Sequence, residues 1–81
     1  MRLHLTERFR SGYAGAPPVV QKAADKQLRL LLHNLHHPSL HAKKYNENMG
    51  VWQARVTRDW RFYFAIVGDT YIIRNILPHP K

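Results

Sequence analysis

The stretch Val51-Trp52-Gln53-Ala54-Arg55-Val56-Thr57-Arg58-Asp59-Trp60-Arg61-Phe62-Tyr63-Phe64-Ala65-Ile66-Val67-Gly68-Asp69-Thr70-Tyr71-Ile72-Ile73-Arg74-Asn75-Ile76-Leu77-Pro78-His79-Pro80-Lys81 decides the fold of this chain. Arginines alternate there with aromatic and β-branched residues, and a period of two marks strands with one apolar and one polar face. Three strands are expected, about Val51 to Thr57, Trp60 to Val67 and Thr70 to Leu77. Gly68-Asp69 fits a two-residue hairpin loop, with glycine first as a type II′ turn prefers.

Parity then assigns the faces. Trp52, Ala54 and Val56 form one apolar set, and Phe62, Phe64 and Ile66 the next. Both sets are even-numbered, so they meet only if the connection at Arg58-Asp59 has an odd number of residues or a bulge. A three-residue connection pairing Thr57 with Arg61 satisfies this, leaving Gln53, Arg55, Thr57, Arg61 and Tyr63 on the other face. The same register pairs Tyr63 with Arg74 and adds a third arginine. Acids that would balance these cations occur only at the turns, as Asp59 and Asp69, so the face suits a polyanion such as nucleic acid. Ile72 and Ile76 fall on it too; alternation alone does not explain them, and a partner or the N-terminal strand would have to cover them.

Upstream, Arg2 to Leu5 alternates like a short strand, and Thr6 is a good N-cap for a brief helix through Tyr13, weakened by Gly12 and Gly15. Pro17 and Pro18 suit a first helical turn, where the missing amide hydrogen would have had no partner. The following helix carries Val20, Ala24, Leu28, Leu31 and Leu35 as one apolar stripe, with Lys22, Asp25, Lys26, Arg29 and His33 opposite. It is expected to stop at Pro38, with Asp25 and Arg29 as an i,i+4 pair. Ser39 to Gly50 reads as a polar connection pinned to the core by Leu40 and Tyr45. His33 and His37 have helical ligand spacing, but no third ligand is evident nearby, so no metal site is expected.

Eighty-one residues make one small domain, 1–81, near the size at which a single core just suffices. Thirteen Lys and Arg against five Asp and Glu give a formal charge of +8, which attracts phosphate-rich surfaces. The absence of cysteine excludes disulfides and thiolate metal sites. No stretch approaches a signal-peptide core or the ~20 apolar residues of a membrane span. The expectation is a soluble, cytoplasmic protein without a membrane partner.

This order of elements, with Trp52-Gln53-Ala54-Arg55-Val56, Trp60-Arg61-Phe62-Tyr63-Phe64 and a terminal His79, resembles the RelE/ParE superfamily of toxins from type II toxin-antitoxin systems. His37-Pro38-Ser39-Leu40 and Ile76 to His79 look like further family blocks, so the resemblance spans the chain. It implies an α+β fold: an N-terminal strand, two helices, then a three-stranded antiparallel meander, forming one sheet. It also implies a ribosome-dependent endoribonuclease that cuts messenger RNA and inhibits translation without metal or other cofactor. In that chemistry the ribose 2′-hydroxyl attacks the adjacent phosphorus, leaving a cyclic phosphate and a free 5′-hydroxyl.

Arg61 matches the family arginine at the scissile phosphate, and Arg55 a second basic position. His79 matches a C-terminal histidine or arginine and is the candidate general acid, since an ordinary histidine titrates near neutrality. Lys43, Lys44, Tyr63 and Arg74 are the candidate substrate-binding residues. No residue aligns with the family's general base, for which Lys43, Lys44, Tyr45 and Glu47 are stand-ins. The implied partners are a cognate antitoxin, the ribosome and mRNA. ParE-like members inhibit DNA gyrase instead, and a catalytically silent module binding nucleic acid or antitoxin is a third reading.

Overall fold

The computed structural model describes residues 1–79; Pro80, the second proline flanking His79, lies outside the described residues with Lys81. The order of elements is β1 (Arg2–Leu5), α1 (Glu7–Ala14), α2 (Pro18–His33), a 3-10 turn (Pro38–Leu40), β2 (Lys43–Asn46), β3 (Val51–Thr57), β4 (Trp60–Val67) and β5 (Thr70–Pro78). One sheet forms in the order β1-β5-β4-β3-β2, with β1 parallel to β5 and the other pairs antiparallel. It therefore has five strands, one more than expected. The addition, β2, arises inside the segment read as a polar connection. All four of its residues are exposed, so it has no hydropathy period, and its backbone pairing with β3 holds it.

Both helices pack on one face of the sheet. Phe9, Val20, Ala24, Leu28 and Leu31 meet Ala54, Val56, Phe62, Phe64, Tyr71, Ile73 and Ile76 there. Thr6 caps α1, its hydroxyl accepting from the Phe9 N–H and donating to the Ile73 carbonyl of β5. Gly12 allows the close approach of α1 to β5: a Cβ there would sit 3.0 Å from both Cγ2 and the carbonyl oxygen of Ile76. The glycine that weakens α1 in isolation is what lets it dock.

α2 ends at His33, earlier than Pro38. Asn34 caps it in an extended conformation, and its side-chain oxygen accepts from the His36 N–H, a local bond that competes with the helix. Leu35 thus lies beyond the helix. Asp25 accepts from the Tyr13 hydroxyl at 2.8 Å, and no Asp25–Arg29 ion pair occurs among the described residues. Leu40 is fully buried, but Tyr45 is 62% exposed and sits against Tyr63 on the face away from the helices.

Two bulges set the register of the meander. Ala54 faces Phe62 and Arg55 faces Arg61, then Thr57 faces Trp60, so a bulge near Val56 replaces the expected odd-length connection and the Thr57–Arg61 pairing. The face assignments of Gln53, Arg55, Arg61 and Tyr63 survive because the two registers differ there by an even number of residues, whereas Thr57, beyond the bulge, pairs with Trp60 and leaves that set. In β5 the register shifts between Phe64–Ile73 and Tyr63–Asn75, so Tyr63 faces Asn75, not Arg74. This bulge inverts the parity of the strand end and buries both Ile73 and Ile76, which a regular strand cannot do at a spacing of three. The burial of Ile76 answers what covers it: the protein's own helices do. The Gly68-Asp69 loop has φ +60 at glycine and no positive φ at Asp69, as a type II′ turn requires.

Candidate functional site

Strand alternation and register place Gln53 and Arg55 of β3, Arg61 and Tyr63 of β4, and Asn75 and Leu77 of β5 on the face opposite the helices. A groove of about 500 Å³ runs along this face, lined by residues that include Arg8, Tyr45, Met49, Tyr63, Arg74 and Asn75, with no carboxylate among the described residues of its wall. The Tyr45 and Tyr63 rings meet edge to face at 5.3 Å between centroids. Burial and the neighbouring Tyr45 push the Tyr63 phenol above its ordinary pKa, against the opposing pull of Arg61. Tyr63 is therefore a phenol near neutral pH, suited to stacking and hydrogen-bond donation and unsuited to accepting a proton.

At the end of this face, Arg61 is held by the β3–β4 turn. Its Nη1 donates to the carbonyls of Thr57, Trp60 and Arg58 at 2.7, 2.9 and 3.1 Å, and the residue is only 8% exposed. Burial, followed by the charge of Arg55, pulls its pKa down; a guanidinium remains cationic regardless. An arriving anion would relieve this like-charge strain. Arg55 lies directly across from it, half-buried, with Nε lacking a partner among the described residues.

The same turn receives the chain's tail. The His79 N–H donates to the Asp59 carbonyl at 2.6 Å, and its Nδ1 is buried without a partner among the described residues. Arg55, Arg61 and the backbone of His79 are thus gathered around one hairpin turn. Lys43 pairs with Gln53 and shares their face, exposed to solvent. Arg74 occupies the β5 bulge, exposed, in the groove wall with Tyr63. Lys44 is not brought in: it pairs with Trp52, and its ammonium lies 5.8 Å from the indole centroid. Of the stand-ins for a base, Tyr45 lines the groove and Glu47 sits exposed in the β2–β3 turn.

Sequence reasoning missed Gln27. This residue is 4% exposed, and its Nε2 donates to the carbonyls of Ser39 and Arg55 at 3.0 and 2.9 Å. It ties α2 and the 3-10 turn to the part of β3 that β2 does not reach, and so fixes the backbone that carries Arg55. The available signal was a neutral polar side chain within the apolar stripe, between Ala24 and Leu28.

No family model matches the sequence. No curated protein matches it either. Solved structures do match in shape. A YoeB/ParE toxin from Agrobacterium tumefaciens superposes with TM-score 0.81 at 16% identity, covering 99% of this chain and 100% of that one. A chain of the RelBE2 toxin-antitoxin complex from Mycobacterium tuberculosis gives 0.77 at 18% identity, covering 98% and 96%. One from the YoeB-YefM complex of Staphylococcus aureus gives 0.77 at 14% identity, covering 99% and 98%. With TM-scores of 0.77 to 0.81 and nearly complete mutual coverage, the protein has the fold of the RelE/ParE superfamily of toxins.

Proposed function

We propose that this protein is the toxin of a type II toxin-antitoxin system and acts as a metal-independent endoribonuclease on messenger RNA in the ribosome. The observation that carries the reading is Arg61, immobilised by three turn carbonyls with Arg55 opposite and the His79 backbone on the same turn. The ribose 2′-oxygen attacks phosphorus as its proton leaves to a base or water. The two guanidinium groups neutralise the pentacoordinate phosphorane, preorganised so that little reorganisation is needed. The bond from phosphorus to the 5′-oxygen then breaks, and His79 supplies the proton for that oxygen from Nε2, leaving a 2′,3′-cyclic phosphate and a 5′-hydroxyl. Tyr63, with Tyr45, offers an aromatic surface for a neighbouring base.

An antitoxin partner is part of the same proposal. The structural neighbours include toxin-antitoxin complexes, and a carboxylate-free groove with Arg8 and Arg74 in its wall favours an acidic segment. One observation favours a second reading, ParE-like inhibition of DNA gyrase: none of the stand-ins for a general base, Lys43, Lys44, Tyr45 and Glu47, lies on the β3–β4 turn that carries Arg61 and receives His79.

Inducible expression of wild type, Arg61→Ala and His79→Ala, with mapping of RNA ends in translating cells, separates these readings. Codon-phased cuts, lost in both variants although His79→Ala stays folded, are expected. Intact messages with trapped gyrase-DNA complexes would replace the ribonuclease reading by the gyrase one.

A further inference from the structure

A second cavity, about 270 Å³, lies on the far side of Arg55, between α2, the 3-10 turn and β3, lined by Ala23, Lys26, Gln27, Ser39, His41, Arg55 and Val56. Its ionisable lining is one-sided: Lys26, His41 and Arg55 belong to it beside the neutral Gln27 and Ser39, and no acid does among the described residues. None of the three is in an ion pair among the described residues, and the Arg55 Nε is buried without a partner there. Asp25, the acid adjacent in sequence to Lys26, accepts from Tyr13. The walls are preformed, because the two hydrogen bonds of Gln27 hold the Ser39 and Arg55 backbones to α2.

We infer that Lys26, His41 and Arg55 form a second phosphate subsite, which takes a phosphodiester of the RNA strand flanking the linkage held at Arg61. This rests on the ribonuclease reading and extends it to residues of α2 and the 3-10 turn. Arg55 belongs to both places: it faces Arg61 across the β3–β4 ladder, lowers that residue's pKa by its charge, and lines the second cavity. Arg55 is thus the residue shared between the turn that holds Arg61 and the cavity that holds Lys26 and His41. Successive cationic places suit a polymer with one negative charge on every repeating unit, and each phosphate neutralised releases condensed counterions.

The test is binding of a short 2′-deoxy oligonucleotide, which lacks the attacking hydroxyl, as a function of salt. Wild type is compared with Lys26→Gln/His41→Asn and with Lys26→Gln alone. Asn is chosen because His41 has φ 47, in the left-handed region that Asn tolerates; both replaced side chains are exposed, so the urea midpoints should match wild type. We expect a several-fold weaker complex at low salt and a salt slope shallower by about 0.7 for one lost single-strand phosphate contact. Unchanged affinity and slope in both variants, with Arg61→Lys still weakening the complex, would overturn the subsite and leave the ribonuclease reading standing. No oligonucleotide binding by wild type would overturn the subsite, while the mapping of RNA ends in translating cells decides the ribonuclease reading separately. Loss of binding to a glutamate-rich peptide alone would assign the cavity to carboxylates and overturn the proposal.

Discussion

Replacing Arg61 should damage the fold as well as the chemistry, and the structure sets the size of the effect. Its Nη1 carries two hydrogens shared among three carbonyls, the nearest at 2.7 and 2.9 Å. Two charge-assisted hydrogen bonds contribute about 1.5–3 kcal/mol each. Against this, the buried guanidinium lies under the like charge of Arg55, and alanine removes that cost along with the bonds. A net loss of about 2–4 kcal/mol for Arg61→Ala follows, from a total stability of roughly 4–12 kcal/mol for a domain of this length. Urea unfolding followed by the fluorescence of Trp52 and Trp60 measures it, with a fall in melting temperature of about 10–25 °C as the thermal counterpart. Arg61→Lys should lie between, because an ammonium keeps the charge without the planar fork. An Arg61→Ala midpoint within about 0.5 kcal/mol of wild type would refute the claim that the turn depends on this side chain. Any loss of RNA cleavage in the variant must therefore be normalised to its folded fraction.

Other consequences are open to direct measurement. Gln27→Leu removes the donor shared by the part-buried Ser39 and Arg55 carbonyls, and calorimetry should show about 1–3 kcal/mol of destabilisation; an unchanged melting temperature would mean that other donors replace Nε2. Gly12→Val forces apart α1 and β5, where a Cβ already meets Ile76 at 3.0 Å, so a loss of about 1–3 kcal/mol in chemical unfolding is expected. Tyr63, whose folded pKa is raised, contributes stability that is complete below the unfolded value of about 10 and is lost as pH climbs through the folded value. Tyr45→Phe removes one cause of the rise, so ultraviolet titration should show Tyr63 ionising at lower pH than in wild type; an equal or higher value would show that Tyr45 has no part in it.

The period-two pattern from Val51 onward was sufficient to place three strands, to separate the Arg55, Arg61 and Tyr63 face from the Trp52 and Phe62 face, and to locate the Gly68-Asp69 loop, because alternation is a local property of the chain. α2 was legible for the same reason, through its stripe from Val20 to Leu31. Only the tertiary structure decided what depends on distant backbone. β2 exists because β3 offers it an edge, and no hydropathy period marks it. The Arg74 bulge turns Ile76 inward to meet α1, and a bulge follows from packing both Ile73 and Ile76 against helices that a single strand's sequence does not contain. The site divides in the same way. That arginines would share a face was written in their spacing, whereas the Arg55–Arg61 opposition, the carbonyl cage around Nη1, the docking of His79 on Asp59 and the Gln27 tie all required chain segments to meet in space. Side-chain direction follows from the residue's own backbone, but its partners are supplied by the register and packing of the whole sheet.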